Sequence, residues 1–184
     1  MRRLGESRIF LLCFLPIFLW GCGAAKREIQ VERDFVLQPG MKIQVADVSN
    51  ETGEIFDVDV IGLLWDALEA KLHQEELLWT GNPRTAPLQM EAFVREYSKG
   101  NALQRWTMPG LGSTVLDARV DLKAGDVLIA SVEIYRKIGT GDGLTIGGWR
   151  KVFGEVAEDV VTQLRTQLAG PRAGGSAQGE EESE

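Results

Sequence analysis

The stretch that decides the fold is VLDARVDLKAGDVLIASVEIY, residues 115 to 135. Apolar residues recur at every second position on either side of KAGD, residues 123 to 126. A two-residue period marks a half-buried strand, and a short Gly- and Asp-containing break between two such runs marks a hairpin. Two long antiparallel strands with one apolar face need a partner layer to cover it.

Two segments change to the helical period. Between Val58 and Gln74, Ile61, Leu64, Trp65, Leu68 and Leu72 form an apolar stripe, while Asp59, Asp66, Glu69 and Lys71 face away. From about Trp149 to Leu168, Trp149, Val152, Phe153, Val156, Val160, Leu164 and Leu168 make a second stripe opposite Glu155, Glu158, Asp159 and Arg165. Further strands are predicted at 41 to 47, with Met41, Ile43 and Val45 on one face, and in ELLWTGNPRTAP before the turn at Gly81-Asn82-Pro83. Another lies in PLQMEAFVREYSKGN, with Leu88, Met90, Ala92 and Val94 inward and Gln89, Glu91 and Arg95 outward. The expected architecture is α/β (α+β): a mixed, mostly antiparallel sheet of about five strands with two amphipathic helices packed on it.

The N-terminus reads differently. Arg2, Arg3 and Arg8 precede IFLLCFLPIFLW, residues 9 to 20, an apolar run of 12 residues. That is short of the roughly 20 needed to cross a bilayer as a helix, and Pro16 interrupts it, so a secretory signal peptide is expected. Leu19-Trp20-Gly21-Cys22 resembles a bacterial lipobox, with Trp20 bulkier than the small residue usual there. The resemblance implies cleavage between Gly21 and Cys22 and acylation of Cys22, a covalent lipid being the only attached group expected. One acyl chain binds a membrane reversibly, whereas two or more hold firmly. Cys13 would leave with the signal peptide, so no disulfide would remain.

The expected organisation is a signal peptide over 1–21, a lipidated cysteine and tether over 22–40, one domain over 41–168, and an acidic tail over 169–184. Its Gly, Ser and Glu content predicts disorder in that tail. Gly23 after the cysteine, rather than aspartate, points to the outer membrane, with the domain facing the periplasm. Removing residues 1 to 21 takes away three arginines and one glutamate and moves the formal charge from -7 to -9. With no basic run, nucleic acid is not an expected partner.

Candidate chemistry is sparse. GTGDGLTIGG, residues 139 to 148, lies between a predicted strand and a predicted helix, where anion-binding loops sit. Gly139, Gly141, Gly143 and Gly147 do not match GxGxxG or a P-loop, and Asp142 opposes a phosphate. A flexible connector is the primary reading; a small-molecule, nucleotide or anion site is the alternative. Asp57 with Asp59 and Glu158 with Asp159 are paired carboxylates without evidence of a shared cleft. His73 is the one histidine, with no motif around a serine and no second ligand for a metal. No catalytic or metal set is expected, and the protein is read as a non-enzyme. Of the tryptophans, Trp106 beside TMPGLG is the candidate partner contact.

Several segments resemble bacterial lipoproteins carrying the domain of unknown function numbered 4410. They are MKIQVADVSN (41 to 50), GNALQRW (100 to 106), the hairpin quoted above, the glycine-rich loop and the closing helix. The resemblance covers residues 41 to 168, departing at Met108-Pro109, where a glycine-rich run is usual. It implies an α/β fold similar to other envelope lipoprotein domains, including the N-terminal domain of the Tol propeller protein, and no activity. The expected partners are the membrane, through the anchor, and an unidentified envelope protein or further copies of the chain.

Overall fold

The computed structural model describes residues 26–31, 35–82, 86–101, 112–138 and 148–169. In chain order these form β1 (Lys26–Val31), β2 (Ile43–Asn50), α1 (Val60–Gln74), β3 (Leu88–Ser98), β4 (Thr114–Ala124) and β5 (Val127–Ile138). A single 3-10 turn (Gly148–Arg150) then leads into α2 (Lys151–Leu168). The five strands make one sheet in the order β1-β5-β4-β3-β2. Three neighbouring pairs are antiparallel; β2 and β3 are parallel. Two parallel strands cannot be joined by a tight turn, and α1 supplies the crossover between them. The expected class, a mixed and mostly antiparallel sheet with two helices, is the one observed.

The hairpin of β4 and β5 is the centre of the sheet. Leu116, Ala118, Val120 and Leu122 of β4 align with Met90, Ala92 and Val94 of β3 and with Ala130, Val132 and Ile134 of β5. All of these are buried, and both helices cover this one face. Val60, Leu64, Leu68 and Leu72 of α1 and Val152, Phe153, Val156, Val160, Leu164 and Leu168 of α2 close the layer. Each fully buried side chain of this size contributes about 1.5–3 kcal/mol from apolar area removed from water.

Two expectations shift in detail. Lys26–Val31, expected as a tether, is the outermost strand, paired antiparallel with β5 from Lys26 opposite Tyr135 to Val31 opposite Ala130. The apolar run ELLW, expected as a strand, contributes only a bridge between Leu78 and Ile43. The chain leaves α1 through Glu76, whose φ of 58° lies in the left-handed region, and so cannot run on in extended form from the helix end. The sheet has its five strands with a different fifth member.

The start of α1 shows how sequence sets a boundary. Asp59 is its N-cap, and its Oδ1 accepts from the Gly62 amide at 2.8 Å. A Cβ at Gly62 would strike the Asp59 carboxylate, which is free to swing away but would then lose the cap. Gly62→Ala should therefore be near neutral in urea unfolding: a helix-propensity gain of about 1 kcal/mol is offset by a lost cap of similar size. In an Asp59→Ala background the same change should stabilise by about 1 kcal/mol. Equal effects in the two backgrounds would contradict this account of the cap.

Candidate functional site

The residues between the buried positions of β3, β4 and β5 face the side without helices. On β4 they are Asp117, Arg119, Asp121 and Lys123; on β3, Glu91, Phe93 and Arg95; on β5, Ser131, Glu133 and Tyr135. Their charges pair across the strands. Arg95 Nη1 donates to Glu133 Oε1 at 2.8 Å, and its Nη2 donates to Asp117 Oδ1 at 3.2 Å. Lys123 Nζ meets Glu91 Oε2 at 2.6 Å. Arg119 reaches Glu51 and Asp121, each at 3.5 Å, and lies 4.4 Å from the centre of the Phe93 ring. Ser131 Oγ donates to Asp121 Oδ1 at 2.6 Å.

Arg95 is the long tie in this arrangement. It sits at a register shift between Val94 and Glu96, and from there its fork spans β4 to reach β5. Two strand spacings are about 10 Å, which suits arginine's length and planar fork. The hydrogen bond it donates to Glu133, followed by the one it donates to Asp117, holds its guanidinium pKa above the ordinary arginine value. Gln30, Arg119, Asp121, Leu128, Ser131 and Glu133 line a shallow open basin of about 360 Å³ on this face. A second depression of about 490 Å³ runs between the helices, beside Ala67, Lys71, Gly154 and Glu158. The basin's two carboxylates, Asp121 and Glu133, each have intramolecular partners, so the face presents paired charges.

Gly21, Cys22 and Trp106 lie outside the described residues, as do Gly139, Gly141, Gly143 and Gly147. The residues flanking 102–111 and 139–147 share one end of the sheet. Thr114 pairs with Ile138 there, and Thr114 Oγ1 donates to the Lys99 carbonyl at 2.8 Å. The Asn101 amide donates to the Gly112 carbonyl at 3.1 Å, joining the residues on either side of 102–111. Gly100 adopts a φ of 67°, and a Cβ there would collide with the backbone of Gly112 and Ser113. Of the paired carboxylates, Asp57 binds Lys99 at 2.7 Å, Asp59 caps α1 and Asp159 binds Arg136 at 2.5 Å, while Glu158 is exposed beside the depression between the helices. His73 is exposed in the last turn of α1, and the described residues contain no cluster able to hold a metal ion.

Under this end of the sheet lies an aromatic string that sequence reasoning missed. Tyr97 meets Phe56 edge-on at 5.4 Å and Phe153 at 5.8 Å, and Phe153 meets Trp149 at 6.3 Å. The Tyr97 hydroxyl is buried without a hydrogen-bond partner. Burial, with a smaller contribution from Asp57, pushes its pKa up to about 12.

No protein-family model matches this chain, and no curated protein matches it. Solved structures do resemble it in fold. A methionine-substituted form of the PelC dodecamer from Paraburkholderia phytofirmans superposes with a TM-score of 0.53 at 14% identity, covering 79% of this chain and 98% of that one. The PelC dodecamer in another crystal form gives 0.51 at 13% identity, over 82% and 100%. Protein XCC0632 from Xanthomonas campestris, of family model DUF330, gives 0.45 at 11% identity, over 76% and 94%. At these identities the PelC likeness is one of fold alone.

Arg95→Ala should destabilise the domain by roughly 1 kcal/mol at low salt, because it frees two carboxylates from one fork. Chemical unfolding should show the loss shrinking at about 1 M salt, where the screening length falls to about 3 Å. A loss that salt leaves unchanged would mean that Arg95 acts by packing. Tyr97→Phe should stabilise by about 1 kcal/mol at neutral pH, since it removes a buried unpaired hydroxyl. The raised pKa of Tyr97 means that the folded state holds this proton more tightly. Its contribution is therefore fully present below about pH 10 and is lost as pH rises toward 12. Phenylalanine should abolish that alkaline loss.

Proposed function

We propose that this chain is an outer-membrane lipoprotein, held by acyl chains on Cys22, whose periplasmic domain binds or scaffolds other envelope components. The structural observation supporting a binding module is the helix-free sheet face. It is broad, polar and shallow, with its charges paired in place, whereas small-molecule sites are concave and mostly apolar. A surface of this kind suits a wet contact with another protein, in which polar groups fix register and orientation.

The partner is a further copy of the chain or another envelope protein. Self-association has the support of fold likeness to a protein crystallised as a dodecamer. The lipobox-like LWGC and the resemblance to lipoproteins of the 4410 type support the anchor. Among the described residues, no helix is long and apolar enough to cross a membrane.

Radioactive palmitate should label the parent protein and leave Cys22→Ala unlabelled, with the label in the outer-membrane fraction. Equal labelling of the two would contradict the anchor. Gentle detergent extraction should bring out an oligomer or a complex with an envelope protein; a lone monomer at cellular concentration would contradict the scaffolding role.

A further inference from the structure

Ile55 is fully exposed, the one large apolar side chain at 100% among the described residues. A single exposed apolar residue is ordinary, so its setting decides what it means. The loop that carries it is tightly built. Asn50 Oδ1 accepts from the Thr52 amide at 2.9 Å and from the Thr52 hydroxyl at 2.7 Å, and Asn50 Nδ2 donates to the Glu54 carbonyl at 2.8 Å. Thr52 Oγ1 accepts from the Glu54 amide at 3.0 Å. The next side chain, Phe56, is fastened inward against Tyr97. Ile55 is thus held outward by a braced loop.

The topology fixes which way outward is. Lys26, at the start of β1, pairs with Tyr135, which pairs with Asp117. Asn50, at the end of β2, pairs with Val94, which pairs with Ala118, one rung away. The first residue of β1 and the base of the Ile55 loop therefore lie almost level, at the same end of the sheet. They stand at its two edges, four strand spacings or about 19 Å apart. Cys22 precedes Lys26 by four residues, a chain length of at most about 14 Å. A bilayer holding Cys22 is consequently within reach of this end of the domain and out of reach of the β4–β5 hairpin tip at the other.

We infer that the braced loop over 50–55 is a lipid-contacting surface, with Ile55 entering the membrane interface at the edge opposite the anchor strand. The inference rests on the anchor proposed above. One side chain could not hold a free protein on a bilayer, but the anchor makes the second contact intramolecular, at high effective concentration. Two contacts at opposite edges would set the strands steeply to the membrane and keep the β4–β5 hairpin tip away from it. Glu54, beside Ile55, would stay in water, which favours a surface rich in zwitterionic lipid over a strongly anionic one.

The test uses the acylated full-length mature protein. Cys13 leaves with the signal peptide and Cys22 is blocked by lipid, so Ile55→Cys gives one reactive thiol for an environment-sensitive fluorophore. Val127→Cys, 64% exposed at the hairpin tip, is the companion. Vesicles are phosphatidylethanolamine with a minority of phosphatidylglycerol, with or without spin-labelled lipid. A blue shift and about twofold quenching at position 55, and neither at 127, are expected for a group at interfacial depth. Intact mass spectrometry reads the acylation separately. An acylated protein with position 55 unquenched, or with both positions quenched alike, overturns the inference and leaves the anchor standing. A blue shift without lipid quenching overturns it in favour of a protein cover. A mature protein without acyl chains overturns the anchor and the inference together.

Discussion

A sheet with both helices on one side obliges its other side to survive in water, and the rest of this structure depends on how that obligation is met. The two-residue period of β4 puts Leu116, Ala118, Val120 and Leu122 under the helices and Asp117, Arg119, Asp121 and Lys123 away from them. The register then places carboxylates and cations from neighbouring strands within reach of one another. Arg95, at its bulge, ties three strands together by their side chains as well as by their backbones. A one-residue slip would exchange the two sets and bury four charges, which gives the register its strength.

The parts of the fold that depend on local pattern were legible in the sequence. Alternation on either side of KAGD placed the hairpin, and stripes of Leu and Val at helical spacing placed α1 and α2 within a few residues of their ends. The parts that depend on distant pairing were not. REIQV alternates well enough for an extended segment, yet only the free edge of β5 makes it a strand. ELLW is as apolar as a strand should be, yet the left-handed turn at Glu76 leaves it a single bridge. Arg95 looked like an outward polar residue of β3, as it is; its ties to Asp117 and Glu133 required the register and the bulge. The paired carboxylates read in sequence dissolve for the same reason, since Asp57, Asp59 and Asp159 each face a different structural partner.

The functional reading follows from this division of labour between the two faces. The helix-covered face is dry and supplies stability; the aromatic string of Phe56, Tyr97, Phe153 and Trp149 extends it to the end of the sheet where β4 begins and β5 ends. The open face carries paired charge on a rigid frame, which is what a recognition surface needs if it is to remain soluble when unoccupied. With Cys22 acylated and Ile55 in contact with lipid, as proposed, the frame would stand close to the membrane with its open face presented laterally to neighbours.

The one-sided sheet is the claim on which these readings stand, and the chain carries its own reporters. It has two tyrosines, Tyr97 beneath the helices and Tyr135 on the helix-free face. Hydroxyl-radical footprinting of the mature protein, read peptide by peptide in a mass spectrometer, should oxidise Tyr135 readily and leave Tyr97 protected. Protection of Tyr135 to the level of Tyr97 in the isolated monomer would contradict the account, because the face assigned to water would then be covered by the chain itself.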